Sequence, residues 1–192
     1  QAAPVQNKAV VTAVRGPANY SQDRGANWKK LNVGAQLSQN AVIRTAPGSI
    51  VDLFLGENGP VVRVTEDSTV GIDRLTVDDL GPEKIIETQL DLRSGRILGN
   101  VKKLAAASKY EVKTPQGVAG VRGTRYDISA DGTVSVVEGQ VVVVYIVQGQ
   151  PVSVTVNAGQ TARPPIRAGE PARLTQTPIE IQRRINNEID GV

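Results

Sequence analysis

The sequence contains no cysteine, no histidine and no methionine, and only one tryptophan, one phenylalanine and four tyrosines in 192 residues. Each absence closes a branch of chemistry. Without Cys there is no thiol nucleophile, no thiolate metal ligand and no disulfide. Without His there is no imidazole base, no imidazole ligand and no side chain whose ordinary pKa lies near neutrality. With aromatics at 3%, stacking platforms for bases or sugar rings are scarce. The longest apolar run, Val141 to Val147, is far shorter than the ~20 residues a membrane helix needs. The expectation is a non-catalytic protein with no cofactor, no metal, no nucleic-acid partner and no membrane span. The missing Met implies that something preceded Gln1-Ala2-Ala3-Pro4. A removed secretory signal peptide is expected, which places the protein outside the cytoplasm, in the periplasm or beyond the cell; a trimmed chain is the alternative.

What is present is aliphatic. Hydrophobic residues make up 40% and Val dominates them, in a chain long enough for one domain with a real core. Charge is close to balanced, 22 Lys+Arg against 19 Asp+Glu, but uneven along the chain. Residues 1–50 carry six basic side chains and one acidic; residues 51–100 carry five basic and ten acidic. These two quarters can neutralise each other within one molecule or meet between neighbouring copies.

The pattern is all-β. Turn signals recur about every ten residues, as in proteins built of many short strands. Asn58-Gly59 and Asp131-Gly132 are the strongest, because both central residues of a type I′ turn need φ > 0. Strands are expected at 10–14, 50–55, 61–65, 89–92, 110–113, 125–129, 133–137, 140–147 and 152–156. Val152, Val154 and Val156 alternate with polar residues, so that strand has one wet face. Val141 to Val147 is apolar at every position, so both its faces need cover, from its own domain or from another subunit.

Residues 158–176 read as loop, with Pro164, Pro165 and Pro171 unable to serve a central strand. A short helix is expected over 178–190. Thr177 is placed as its cap, Pro178 in its first turn, and Glu180 as the returning half of a capping box. Ile181, Ile185 and Ile189 form one apolar stripe that must dock on the domain or on a neighbour. The organisation expected is an N-terminal strand segment (1–30), a β domain (31–157), and a Pro-rich loop with an amphipathic helix (158–192).

Four segments stand out: LSQNAVIRTAPGSIVDLFL (37–55), LDLRSGRILGNV (90–101), TPQGVAGVRGTRY (114–126) and SVVEGQVVV (135–143). Together they resemble the FecR-like domain, over roughly residues 31–147. There an I-x-T segment and an L-x-L-x-x-G-x-I/V step precede a Thr-Pro…Arg-Gly-Thr signature and a V-x-x-G-x-V-x-V strand pair. The resemblance maps the signature onto Thr114, Pro115, Gly117, Gly120, Arg122, Gly123 and Thr124. Its physics reads as structural. The proline and glycines let the chain turn tightly between strands, and Arg122 is expected to pin that turn through carbonyls or a carboxylate. The alternative is that Arg122 reads an acidic ligand. The glycines are not a phosphate loop, since no Lys-Ser/Thr and no helix follow. Asp73, Asp78, Asp79, Asp127 and Asp131 lack calcium-loop spacing and read as a solvated face. Asn19-Tyr20-Ser21 has the form of a glycosylation sequon and is read as a chance match.

The resemblance implies a two-sheet sandwich or a solenoid-like β fold. It also implies kinship with regulators that join a cytoplasmic anti-sigma segment, one membrane helix and this extracytoplasmic domain, and that relay a signal from an outer-membrane receptor. Neither of the first two parts is visible in this sequence. The expectation is therefore a protein-interaction module: a structural or self-assembling envelope subunit whose partners are copies of itself, or a sensory module that binds an envelope receptor. For the first, residues 1–14, with Val10, Val11 and Val14, would add as a strand to a neighbour's sheet edge; the alternative is that this strand pairs within its own domain.

Overall fold

The computed structural model describes residues 3–59 and 61–192. Gln1 and Ala2, which open the expected processing site, lie outside the described residues. The N-terminal third forms β1 (Val5–Gln6), β2 (Ala9–Arg15), β3 (Ala18–Ser21), β4 (Lys29–Lys30), β5 (Gln36–Leu37), β6 (Val42–Thr45) and β7 (Ile50–Phe54). A 3-10 turn, Gly56–Asn58, leads to β8 (Val61–Val64), β9 (Thr69–Asp78), β10 (Ile85–Ser94), β11 (Arg96–Val101) and β12 (Lys109–Thr114). The remainder is β13 (Gly117–Ser129), β14 (Val134–Val147), β15 (Gln150–Asn157), β16 (Gln160–Arg163), β17 (Arg173–Gln176) and one helix, α1 (Ile179–Asp190). The protein is all-β with a short C-terminal helix.

The strands form one branched, curled sheet with two walls. One wall runs β4–β3–β6–β9–β10–β12. The other runs β5–β2–β7–β8–β11. Both end on β13, which pairs with β12 through Gly117–Gly120 and with β11 through Thr124–Ser129. β14 follows β13, then pairs with β15 over 140–147 and with β16 over 134–136. The two layers are thus joined through β13 and β14. Val11, Leu53, Val62 and Ile97 from one wall and Ile43, Ile72, Leu90 and Val112 from the other belong to the same core. Alternation aims these residues inward, and each fully buried Val, Leu or Ile contributes ~1.5–3 kcal/mol.

The N-terminal strand pairs within its own domain and is not added to a neighbour. β2 lies between β5 and β7, with Val10 opposite Phe54, Val11 opposite Leu53 and Val14 opposite Val51. Val11 is fully buried in its own core. Both edges of β2 are in use, so Val10, Val11 and Val14 are intramolecular contacts and not a strand lent to a neighbour. Ala162, from the expected C-terminal segment, enters the same core.

The turns differ from expectation. Asn58 ends the 3-10 turn, buried, with its side-chain amide donating to the carbonyls of Thr76 (2.8 Å) and Glu87 (3.2 Å). At Asp131-Gly132 only the glycine has positive φ. The type I′ geometry belongs to Gln148-Gly149, at φ 50° and 77°. The region 158–176 is not all loop: β16 and β17 flank its prolines, pairing in register from Gln160 opposite Gln176 to Arg163 opposite Arg173.

Candidate protein-docking surface

The signature segment sits at the corner between the walls. Thr114 and Gly117 close the two-residue turn at Pro115-Gln116, and the Gln116 N–H donates to Thr114 Oγ1 at 3.2 Å. A Cβ on Gly117 would collide with the Val144 carbonyl. The β13–β14 register breaks between Arg122 and Arg125. There Gly123 adopts φ 60°, and Thr124 Oγ1 donates to the Gln140 carbonyl (2.8 Å) and accepts from the Gln140 N–H (3.2 Å). This bulge is where β13 leaves β12 and joins β11.

Two expectations about the signature are corrected. Gly120 makes no turn; it lies mid-strand, opposite Glu111 and Val142. The Arg122 side chain pins nothing: it is exposed and makes no hydrogen bond or ion pair among the described residues, while the Arg122 carbonyl accepts from Thr124 Oγ1 at 3.0 Å. Thr124 holds the corner instead, because its hydroxyl reaches the backbone that the bulge leaves unpaired.

The hairpin of β14 and β15 divides as its pattern requires. Val141, Val143 and Tyr145 are buried in the core. On the outer face Val142 is 42% and Ile146 49% exposed, with Val144 and Val118 half-buried beside them. Nothing among the described residues covers this stripe. Its flanking edge is blunted. The Ile146 N–H points to Gln116 O, so the Tyr145 N–H points to β15, and Pro151, Ser153, Thr155 and Asn157 direct their backbones away from β14. Pro151 has no N–H, and Gln160 Oε1 accepts from the Asn157 N–H at 3.0 Å. Only Ser153 and Thr155 keep both groups free for another strand.

The other wall is covered by α1. Ile185 and Ile189 bury against Leu98, with Ile181 and Val137 packed at the margin. All three isoleucines are therefore contacts within the chain. The expected cap is absent: Pro178 stands at the N-cap, and the buried Thr177 hydroxyl is hydrogen-bonded to Thr161 Oγ1 at 2.7 Å. The helix is held at its other end, by three arginines on neighbouring strands. Arg63 pairs with Asp52 through two bonds, at 2.7 and 2.8 Å, and donates to the carbonyls of Glu188 (2.7 Å) and Gly191 (2.8 Å). Arg96 binds Asp127 at 2.6–2.9 Å and reaches the Glu188 carboxylate at 2.9 Å. Arg125 binds Asp190 at 2.6 Å. Cations here satisfy the last carbonyls and suit the negative end of the helix. Asp127 is buried rather than solvated, and burial raises its pKa above the ordinary 3.8 against the opposing pull of Arg96. Asp73 is not a free carboxylate either; it pairs with Lys113 at 2.6 Å.

No helix among the described residues is long and apolar enough to cross a membrane. No individual curated protein matches the chain. The model of one family, described as FecR protein, matches residues 41–142, from the start of β6 into β14. That stretch is more than half of the chain and holds the whole signature corner together with part of the exposed stripe, and on this match the chain belongs to the FecR protein family.

Proposed function

We propose that the chain is a non-catalytic, extracytoplasmic signalling module whose FecR domain binds another envelope protein. The observation that carries the reading is the family match over the domain that presents the open stripe of Val142, Val144 and Ile146. Apolar patches left open on a folded domain mark contact surfaces. A composition without thiol or imidazole supports a binding role over catalysis. The localisation rests on the family. A photo-crosslinker at position 146, in cells, tests the reading. An adduct with a different envelope protein, lost in Val142→Asp, supports it; absence of any adduct overturns the stripe as the docking face.

A second reading, a structural or self-assembling subunit, is favoured by the same stripe, since identical copies can cover it in pairs. An adduct of twice the chain mass in that experiment supports this reading instead.

A further inference from the structure

Among the described residues, no ion pair joins the basic first quarter to the acidic second quarter. Among the described residues, the carboxylates of residues 51–100 that form ion pairs use Arg63, Arg74, Lys84, Arg93 or Lys113. None uses a cation of residues 1–50.

Three cations of the first quarter and three carboxylates of the second stand at opposite ends of β9. Arg44 in β6 stands opposite Thr69, the first residue of β9. Asn19 of β3 stands opposite both Arg44 and Lys30, and Tyr20 opposite Lys29. Lys29, Lys30 and Arg44 are exposed, and the Arg44 guanidinium lies 4.0 Å over the ring of Trp28. This is a cationic end with an aromatic base. Beyond the other end of β9 is an apolar groove of about 400 Å³, lined by Pro4, Val5, Val77 and Leu80. Val5 is 71% and Leu80 70% exposed, so both can take up a contact. The rim carries Glu57, Asp78 and Asp79. Lys84, which bonds Glu57 at 2.6 Å and lies 3.7 Å from Asp79, offsets one of these three charges.

The ten residues of β9 span about 30 Å. That exceeds the ~8 Å screening length at physiological salt, so the two sites do not satisfy each other within one chain. They are complementary across two chains. We propose that the acid-rimmed apolar groove of one copy receives the basic β3–β4 end of a second copy, in a head-to-tail contact. The inference rests on the self-assembly reading and adds to it a second contact, apart from the stripe. Every such contact leaves one groove and one basic end free, so the association repeats into a filament or closes into a ring. Opposite charges steer the encounter, and the apolar groove supplies the contact that outlasts it.

Light scattering of the full chain at low ionic strength tests this with two double variants, each first shown by circular dichroism to melt as the native chain does. Glu57→Lys with Asp79→Lys makes both ends basic; Lys29→Glu with Lys30→Glu makes both ends acidic. The expected result is native oligomers that dissociate with added salt, monomers for each variant alone, and oligomers again when the two variants are mixed. Native oligomers that neither variant disrupts overturn the contact and leave self-assembly standing. Variants that are monomeric but do not associate on mixing also overturn it. A native chain that stays monomeric overturns both the contact and the self-assembly reading.

Discussion

Tyr110 and Tyr126 join their hydroxyls in one hydrogen bond, 2.9 Å long, in the interior of the domain. Their rings lie 6.2 Å apart and tilted by 58°, a favourable aromatic arrangement. Gly99 makes the pair fit, since a Cβ there would collide with the Tyr126 ring. Burial pushes both phenols above their usual pKa, so each stays a neutral donor and acceptor. Each hydroxyl therefore depends on the other.

Tyr126→Phe leaves the Tyr110 hydroxyl buried without a partner and is expected to destabilise the domain by ~1–3 kcal/mol. Tyr110→Phe with Tyr126→Phe removes both hydroxyls and is expected to recover most of that loss. Urea melts of the single and double variants measure the coupling; strictly additive losses would show that the bond is not shared in this way.

Gly123 and Arg122 are neighbours in the signature with opposite expectations. Gly123→Val places a β-branched residue at φ 60°, which costs on the order of 1–3 kcal/mol. Arg122→Ala removes an exposed side chain without a partner and is expected to leave the melting temperature unchanged. If Gly123→Val keeps the native melting temperature and loses only a binding partner, the structural role of the corner is wrong.

The three arginines under α1 are ranked by burial. Arg63→Ala strands the buried Asp52 carboxylate and two helix carbonyls, an expected loss of ~3–5 kcal/mol. Arg125→Ala removes a pair whose Asp190 is largely exposed, and ~1 kcal/mol or less is expected. Chemical denaturation of the two variants settles the order, and equal losses would mean that α1 is held mainly by Leu98, Ile185 and Ile189.

The sequence made the apolar alternation legible, and with it β15, the inner face of β14 and the stripe of α1. It hid whatever depends on pairing. Glu138-Gly139 separates the strands expected at 133–137 and 140–147, yet β14 runs through it, because a Cβ on Gly139 would strike the Gly123 carbonyl and only glycine lets the bulge close. β9 escaped detection because Gly71, Asp73 and Arg74 interrupt its apolar run; Asp73 and Arg74 engage Lys113 and Glu87, partners on other strands. Arg63, Arg96 and Arg125 look like a solvated face when read one at a time. Only the register shows Asp52 opposite Arg63, Arg63 opposite Leu98 and Leu98 opposite Asp127, a row crossing four strands beneath the helix. The one signal in the sequence was the isoleucine stripe of α1, which required an apolar seat without saying where.

Asp127 and Asp23 should titrate on opposite sides of the ordinary aspartate value of 3.8. Burial raises Asp127, so the folded state holds its proton more tightly than the unfolded chain does. Its contribution to stability therefore grows as pH falls from the raised pKa towards 3.8, and is withdrawn as pH rises through that window. Asp23 is the reverse. Hydrogen bonds from Ser21 and Asn27 to its charged form lower its pKa to about 2, so the stability it adds is present above 3.8 and lost as pH falls towards 2. Carboxyl carbon NMR should show Asp127 protonating first and Asp23 last. In denaturant melts, the stability difference between the native chain and Asp127→Asn should be constant at neutral pH and move in favour of the native chain on acidification towards 3.8. A drift the other way would mean that the hydrogen bonds and charge of Arg96 outweigh burial at this carboxylate.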